Sequence, residues 1–232
     1  MRQHTVVRGA LLCAALVVGV GGAQAQTPPT EYQRWSVDSA DTVGDGANVV
    51  RAQVAWPGLW LDFVHGLDST FDIGGRLAMN WGGVAGEVNY CASFDGYSAC
   101  GGTSLSFDFQ LLLRKQIAKI GPYKIALTFN PGFIVYTTGG LTGMNVPIGA
   151  QMGIPFNDKL IFNASFELPM YATFGTGGTF VIPILFGGGA EYAVQRNLLL
   201  TFKLAMGPSI PTHQFASVSF ALEALLGVAY KL

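Results

Sequence analysis

Residues 105–113 read Leu-Ser-Phe-Asp-Phe-Gln-Leu-Leu-Leu, and this stretch decides the fold class. Leu105, Phe107 and Phe109 alternate along it with polar side chains, and Arg114 follows on the polar parity. Because successive side chains of a β-strand point to opposite faces, the stretch predicts a strand with one apolar and one polar face. A strand of a soluble sheet also has two unlike faces. Whether the strand belongs to a soluble sheet or to a membrane barrel therefore depends on how often the pattern recurs.

The same two-residue period recurs along most of the chain. Eight stretches follow it between Phe71 and Leu232. Each has about ten or more residues, the length that a tilted strand needs to cross a bilayer. The eight predicted strands cover 71–81, 104–117, 122–136, 143–154, 159–172, 179–192, 197–207 and 215–232.

A further hairpin is expected over 49–56 and 59–65, with its turn at Pro57-Gly58. It raises the predicted number of strands from eight to ten. Both ends of the chain are expected on the periplasmic side, so the number must be even. Pro-Gly favours a type II turn, whose twist fits a hairpin poorly, and eight strands therefore stay the alternative.

The composition favours a membrane protein that crosses the bilayer with strands. Hydrophobic residues make up 50% of the chain and charged residues only 12%, whereas soluble domains carry about 25% charged residues. No continuous apolar run long enough for a membrane helix follows Ala25. A closed barrel is the other structure that satisfies every backbone N–H and C=O inside lipid. The net charge of −1 argues against a nucleic-acid partner.

The first residues carry the features of an export signal. Arg2 and Arg8 precede an apolar run over 10–20, and Ala23-Gln24-Ala25 forms an A-x-A cleavage site. We therefore predict a cleaved signal peptide over 1–25. Residues 26–47, with Pro28-Pro29 and polar neighbours, are expected to form a flexible periplasmic segment before a barrel over 48–232.

Charged residues fall almost entirely on the parity opposite to the apolar side chains. A Lys or Arg on the lipid face would cost about 2–4 kcal/mol at the bilayer midplane, and Lys115, near a strand end, is the exception. The near-balance of sign favours ion pairs inside the barrel over a selectivity ring of one sign. The predicted lumenal charges are Arg51, Asp62, Arg76, Asp108, Arg114, Lys124, Glu167, Glu191, Lys203 and Glu223, with Asp72 on the same parity.

Short and long connections alternate, as they do on the two sides of an outer membrane. The segment 82–103 is the longest and is expected on the extracellular side. Cys91 and Cys100 within it are expected to form a disulfide bond in an oxidising compartment, and two free thiols are the alternative. The binding candidates on this loop are Glu87, Tyr90, Phe94 and Tyr97, and the favoured alternative is a loop that shields the barrel without a ligand.

The chain ends in Gly-Val-Ala-Tyr-Lys-Leu over 227–232. This ending resembles the C-terminal assembly signal of the small bacterial outer-membrane β-barrels, although the family usually ends in phenylalanine instead of Leu232. The resemblance covers most of residues 48–232. It implies an all-β, antiparallel, up-and-down transmembrane barrel, located in the outer membrane, with lipid around it. It also implies the barrel-assembly machinery as a partner through the last strand.

Two non-enzymatic functions fit such a barrel. The first prediction is a narrow porin-like channel for small solutes, because small residues such as Gly149 and Gly187 fall on the inner parity. The alternative is a plugged structural or surface-recognition barrel that acts through its extracellular loops. Small barrels are only wide enough for side chains to fill, which favours the alternative.

A membrane-embedded hydrolase is a third hypothesis with less support. Omptin-like proteases need acidic pairs and an Asp–His pair at the extracellular rim to activate water. After signal cleavage this chain keeps only His65, expected at the periplasmic end, and His213, on a loop without a nearby carboxylate. Ser209 and Ser217 flank His213 without the spacing of lipid A deacylase-like barrels. The separated histidines give no metal site, and no cofactor motif is present.

Overall fold

The alternating stretch lies in a 15-residue strand, β6 (Ser106–Ile120), whose side chains are buried and exposed in turn at its start. The structure, a computed structural model, describes residues 35–56, 58–81, 91–94, 97–100, 105–137, 142–174, 180–212 and 219–232. The strands before β6 are β1 (Asn48–Trp56), β2 (Gly58–Gly66), β3 (Phe71–Asn80), β4 (Cys91–Phe94) and β5 (Tyr97–Cys100). Those after it are β7 (Tyr123–Phe129), β8 (Gly132–Tyr136), β9 (Thr142–Pro155), β10 (Leu160–Phe174), β11 (Phe180–Pro183), β12 (Leu185–Gln195), β13 (Leu198–Pro211) and β14 (Ser219–Lys231).

The strands form a closed antiparallel barrel of ten strands. β7 and β8 are two parts of one barrel strand, since both pair with β6 and β9. β11 and β12 are likewise two parts of one strand between β10 and β13. β1 pairs with β2 on one side and with β14 on the other, which closes the barrel and leaves it without an exposed edge. The predicted fold class and the preferred number of strands are both confirmed.

The two interrupted strands keep the hydrogen bonding of the barrel wall. At the first break, the Pro131 carbonyl accepts a hydrogen bond from the Leu111 N–H at 2.9 Å. At the second break, the Ile184 N–H donates to the Pro208 carbonyl at 2.8 Å. The breaks therefore bend two strands without opening the wall.

The outer face of the barrel is apolar. Phe186 and Leu226, for example, are 61% and 64% exposed, while their neighbours Leu185 and Leu225 are buried inside the barrel. Large apolar side chains on a closed barrel face lipid in an outer membrane. Lys115 is exposed, as its parity predicts, and its Nζ donates to Thr70 Oγ1 at 2.7 Å in the neighbouring turn.

Two aromatic residues near the long-loop end, Trp60 and Tyr171, lie inside the barrel. Trp60 is 8% exposed, and its Nε1–H donates to Asn80 Oδ1 at 3.0 Å. Tyr171 is buried against Ile134 and Val181. Both residues have the parity of the lumenal charges, and parity determines the face of a strand residue.

The turn between β2 and β3 illustrates the short connections of the periplasmic end. The Asp68 carboxylate accepts hydrogen bonds from Thr70 Oγ1 at 2.7 Å and from the Thr70 N–H at 2.5 Å. These bonds favour the charged form and lower the pKa of Asp68. No helix in the described part of the chain is long and apolar enough to cross a membrane.

Residues 35–47 fold back into the periplasmic end of the barrel, and we call them the N-terminal plug. Ser36, Ser39, Ala40 and Val43 in this segment are fully buried. The predicted flexible segment over 26–47 therefore does not describe residues 35–47. The plug is ordered because its polar groups bind lumenal charges, as detailed below. Residues 26–34 and the predicted signal peptide lie outside the described residues.

Candidate functional site in the barrel lumen

The first group of lumenal charges joins three consecutive strands. The register places Arg51 of β1 opposite Asp62 of β2, and Asp62 opposite Arg76 of β3. The Asp62 carboxylate accepts hydrogen bonds from Arg51 Nε at 2.9 Å and from Arg76 Nε at 2.8 Å. The Arg76 guanidinium also lies over the Trp60 ring, 4.3 Å from its centroid. Two cations thus share one buried carboxylate, and Arg51 makes a second ion pair with Asp38 of the plug.

The second group lies on β10, β13 and β14, and β14 is the neighbour of β1 in the wall. Lys203 Nζ is 2.7 Å from Glu167 Oε1 and 2.8 Å from Glu223 Oε1. Lys203 and Glu223 are buried, and Glu167 is half-buried. One ammonium therefore binds two carboxylates, the inverse of the arrangement at Asp62.

The third group, Asp72 and Arg114, holds the plug. Arg114 Nη2 is 2.5 Å from Asp72 Oδ2, and it also donates to the Ser36 carbonyl at 2.7 Å. Arg114 Nη1 donates to the Ser39 carbonyl at 3.1 Å. On the other side, the Val43 N–H donates to the Asp72 carboxylate at 3.2 Å. This ion pair thus supplies both donors and acceptors to the backbone of the plug.

Glu191 holds the plug from β12. Its carboxylate accepts hydrogen bonds from the Ser36 hydroxyl, from the Val37 N–H at 2.8 Å and from the Asp38 N–H at 3.0 Å. Glu191 is fully buried, so these bonds form out of contact with water. Hydrogen bonds to an ionised group are stronger than neutral ones, and this carboxylate fixes the start of the plug.

Further contacts complete the closure of the periplasmic end. Lys124 on β7 pairs with Asp41, and Lys231 Nζ donates to the Val43 carbonyl at 2.9 Å. The Trp35 Nε1–H donates to the Arg196 carbonyl at 3.0 Å. Apolar side chains of the plug pack against the inner faces of five strands, in a cluster formed by Trp35, Val37, Val43, Val49, Val64, Ala193, Leu199 and Ala229.

The fourth group surrounds Asp108, nearer the long loops. Gln110 Nε2 and Asn145 Nδ2 both donate to Asp108 Oδ2, at 2.6 Å and 2.7 Å. Between this group and the others lies a cavity of about 100 Å³, lined by Trp60, Arg76 and Asp108 among others. A cavity of this size has room for a few water molecules.

All ten predicted lumenal charges lie on the inner face of the barrel, and Asp72 lies with them. The sequence gives no indication of which charges pair with each other. It also does not identify the plug residues Ser36, Asp38 and Asp41 as their partners. A usable signal was Trp35 followed by Val37 and Val43, since apolar side chains are uncommon in a solvated segment.

The loop candidates are only partly covered by the structure. Glu87 and Tyr90, like His213, lie outside the described residues, and for Phe94 and Tyr97 the structure describes the backbone alone. β4 and β5 form a hairpin in which Cys91 is opposite Cys100. The disulfide bond itself stays a prediction.

His65 lies at the periplasmic end of β2, where the sequence places it. Its Nδ1 is 2.9 Å from Asn48 Oδ1. In the part of the chain that the structure describes, no group of three or more His, Cys, Asp or Glu side chains is arranged to hold a metal ion.

No protein-family model and no curated protein matches the sequence. Solved outer-membrane barrels resemble the structure. The OmpT protease of Escherichia coli is 9% identical, with 80% of this chain and 97% of that one covered at a TM-score of 0.44. The KdgM porin in complex with oligogalacturonate is also 9% identical, with 79% and 98% covered at a TM-score of 0.40.

A loop-deletion mutant of OmpT, an outer membrane protein of Vibrio cholerae, is 13% identical over 75% of this chain at a TM-score of 0.34. The chain spans about half of that protein, 53% of its length. At these identities the likeness concerns the fold alone. The chain forms a closed ten-stranded β-barrel with an apolar outer face, as a barrel that lies in lipid requires.

Proposed function

We propose that this protein is a non-enzymatic outer-membrane barrel whose lumen is plugged, and that it acts as a structural or surface-recognition barrel through its extracellular loops. The observation that carries the proposal is the burial of residues 35–43 at the periplasmic end, where Glu191 and the Asp72–Arg114 pair bind them from different strands. The ion pairs at Asp62 and Lys203 fill much of the lumen beyond the plug. The cavity beside these ion pairs is small, about 100 Å³.

A narrow porin-like channel for small solutes is the second candidate, with the plug as its gate. It is supported by the way in which the plug is held. All of its described contacts to the wall are hydrogen bonds, ion pairs and side-chain packing, and the chain joins the barrel only where β1 begins. A segment held in this way can leave the lumen without breaking the backbone ladder of the barrel.

A cross-link distinguishes the two candidates. A Cβ atom placed on Gly153 would lie 3.4 Å from Ser39 Cβ. Cβ atoms of disulfides lie about 3.5–4.5 Å apart, so Ser39→Cys with Gly153→Cys fixes the plug to β9 with a small adjustment. The two native residues Cys91 and Cys100 are replaced by Ser in the same protein.

The measurement is single-channel conductance of the refolded mature protein in a planar bilayer. A plugged barrel stays silent with and without the cross-link, and it stays silent after reductant is added. Discrete openings that appear only in reductant would favour the gated channel. Openings in the cross-linked protein would contradict both candidates, because the path would then not pass the plug.

Two partner proposals follow from the architecture. The apolar outer face is suited to outer-membrane lipid. Residues 224–231 of the last strand, β14, pair with β1, and this pairing closes the barrel. We propose that this strand is the segment that the barrel-assembly machinery engages before closure.

A further inference from the structure

Asp108 differs from most lumenal carboxylates because no cation pairs with it in the described part of the chain. Asp62 and Asp72 each bind arginine, and Glu167 and Glu223 bind Lys203. Asp108 is 2% exposed and receives only two amide N–H groups, both on Oδ2. A buried carboxylate without a cation is costly unless something else supplies positive charge.

The atoms left without partners around Asp108 are all oxygens. Asp108 Oδ1, Asn145 Oδ1, Gln110 Oε1 and Ser106 Oγ are buried and accept no hydrogen bond in the described structure. An unpaired buried acceptor destabilises the folded protein. The cluster therefore lacks positive charge, and a metal cation can bind several such oxygens at once.

Gly132 lets the Asn145 and Gln110 side chains lie close to the backbone of β8. It lies between Gln110 of β6 and Asn145 of β9 in the register of the wall. A Cβ atom at this position would lie 2.5 Å from Asn145 Oδ1 and 2.8 Å from Gln110 Cγ. Any other residue would displace these two side chains. Asp108 and Gln110 also line the lumenal cavity, which gives an ion a route to them.

We propose that Asp108, Asn145 and Gln110 form a binding site for one hard monovalent cation, with Na⁺ as the best match. Carboxylate and amide oxygens are ligands that hard cations prefer. The site has one formal negative charge, which a single positive charge balances. The described lumen as a whole has more carboxylates than cations: Asp38, Asp41, Asp62, Asp72, Asp108, Glu167, Glu191 and Glu223 against Arg51, Arg76, Arg114, Lys124, Lys203 and Lys231.

The test is thermal unfolding of the refolded mature protein, followed by its loss of heat-modifiable gel mobility. The protein is compared in NaCl, in choline chloride and in CaCl₂ at equal ionic strength. Asp108→Asn removes the charge and keeps the shape, and Asp68→Asn in the exposed turn is the matched control. We expect Na⁺ to raise the Tm of the native protein and of Asp68→Asn by several degrees relative to choline, and to leave the Tm of Asp108→Asn unchanged.

An equal Tm in Na⁺ and choline for the native protein would overturn the proposal, as would a Na⁺ response that survives Asp108→Asn. A response to Ca²⁺ alone would overturn the assignment to a monovalent ion. Asn145→Asp provides a second test if Asp108→Asn does not fold. It adds a second carboxylate, so Ca²⁺ should now raise the Tm more than Na⁺ does. If no cation binds, the two facing carboxylates should lower the Tm equally in all three salts.

Discussion

At the scale of single residues, the stability of the barrel should depend strongly on Asp62. Asp62→Ala leaves Arg51 and Arg76 buried beside each other without their shared carboxylate. Breaking a buried ion pair on one side costs about 3–5 kcal/mol, and we expect a loss of this size in urea unfolding of the folded barrel. Asp68→Ala, in an exposed turn, is the control and should cost much less. Equal losses for the two variants would show that the Asp62 cluster adds little to stability.

Asp62 and Arg76 also show how much the sequence predicts about a single residue. Parity along a strand predicts the inner face for Asp62 and Arg76, because side chains alternate whatever lies around them. It does not predict that both arginines bind one carboxylate, because pairing depends on the register between strands. Parity likewise predicts the inner face for Trp60 and Tyr171, and both are buried there.

At the scale of elements, the N-terminal plug should depend on Glu191. Glu191→Ala removes the acceptor of the Ser36 hydroxyl and of two backbone N–H groups. We therefore expect the plug to leave the lumen more often. Ser39 is fully buried, so a cysteine at this position can be labelled only when the plug leaves the lumen. The measurement uses Ser39→Cys in a protein without Cys91 and Cys100. Maleimide should label it slowly in the parent and at least tenfold faster after Glu191→Ala, because losing about 1.4 kcal/mol changes an equilibrium tenfold.

Asp45→Ala is the control for the plug, because Asp45 is exposed at the rim. It should leave the labelling rate of the cysteine at position 39 unchanged. Rapid labelling in the parent protein would mean that the plug is not held in the lumen at rest.

The hairpin of β4 and β5 carries a second prediction at the scale of elements. Cys91 and Cys100 are opposite each other in its register, and an exported protein folds in an oxidising compartment. A nonreducing peptide map should therefore recover the two cysteine peptides as one linked species that reductant separates. Recovery of both cysteines as free thiols would refute the bond.

The plug is the element that sequence reasoning could not place. A strand can be recognised in a sequence because apolar and polar side chains alternate along it. Residues 35–47 show no such alternation, and they contain Ser, Asp and Gly as a solvated linker does. Their order comes from partners far along the chain, such as Arg114 and Glu191. Contacts between distant residues of this kind cannot be read from one sequence.

At the scale of the whole molecule, the strands close the wall of the barrel without any contribution from the N-terminal plug. Every barrel strand pairs with two neighbours, and β1 and β14 close the ring, so the plug adds no strand to the wall. The inner face is polar and filled, while the outer face is apolar. The contact between the barrel and the lipid therefore depends on the side chains of the outer face.

Two equally exposed outer residues test this dependence. Leu226 is 64% exposed near the middle of β14, and Ile120 is 63% exposed at the periplasmic end of β6. An arginine on the lipid face costs about 2–4 kcal/mol at the midplane and about 0–1 kcal/mol near the interface. Leu226→Arg should thus lower the free energy of unfolding in phospholipid vesicles far more than Ile120→Arg does. In detergent micelles, which have no fixed midplane, the difference between the two variants should shrink. Equal losses in vesicles would mean that the band of lipid contact is not centred on the middle of the strands.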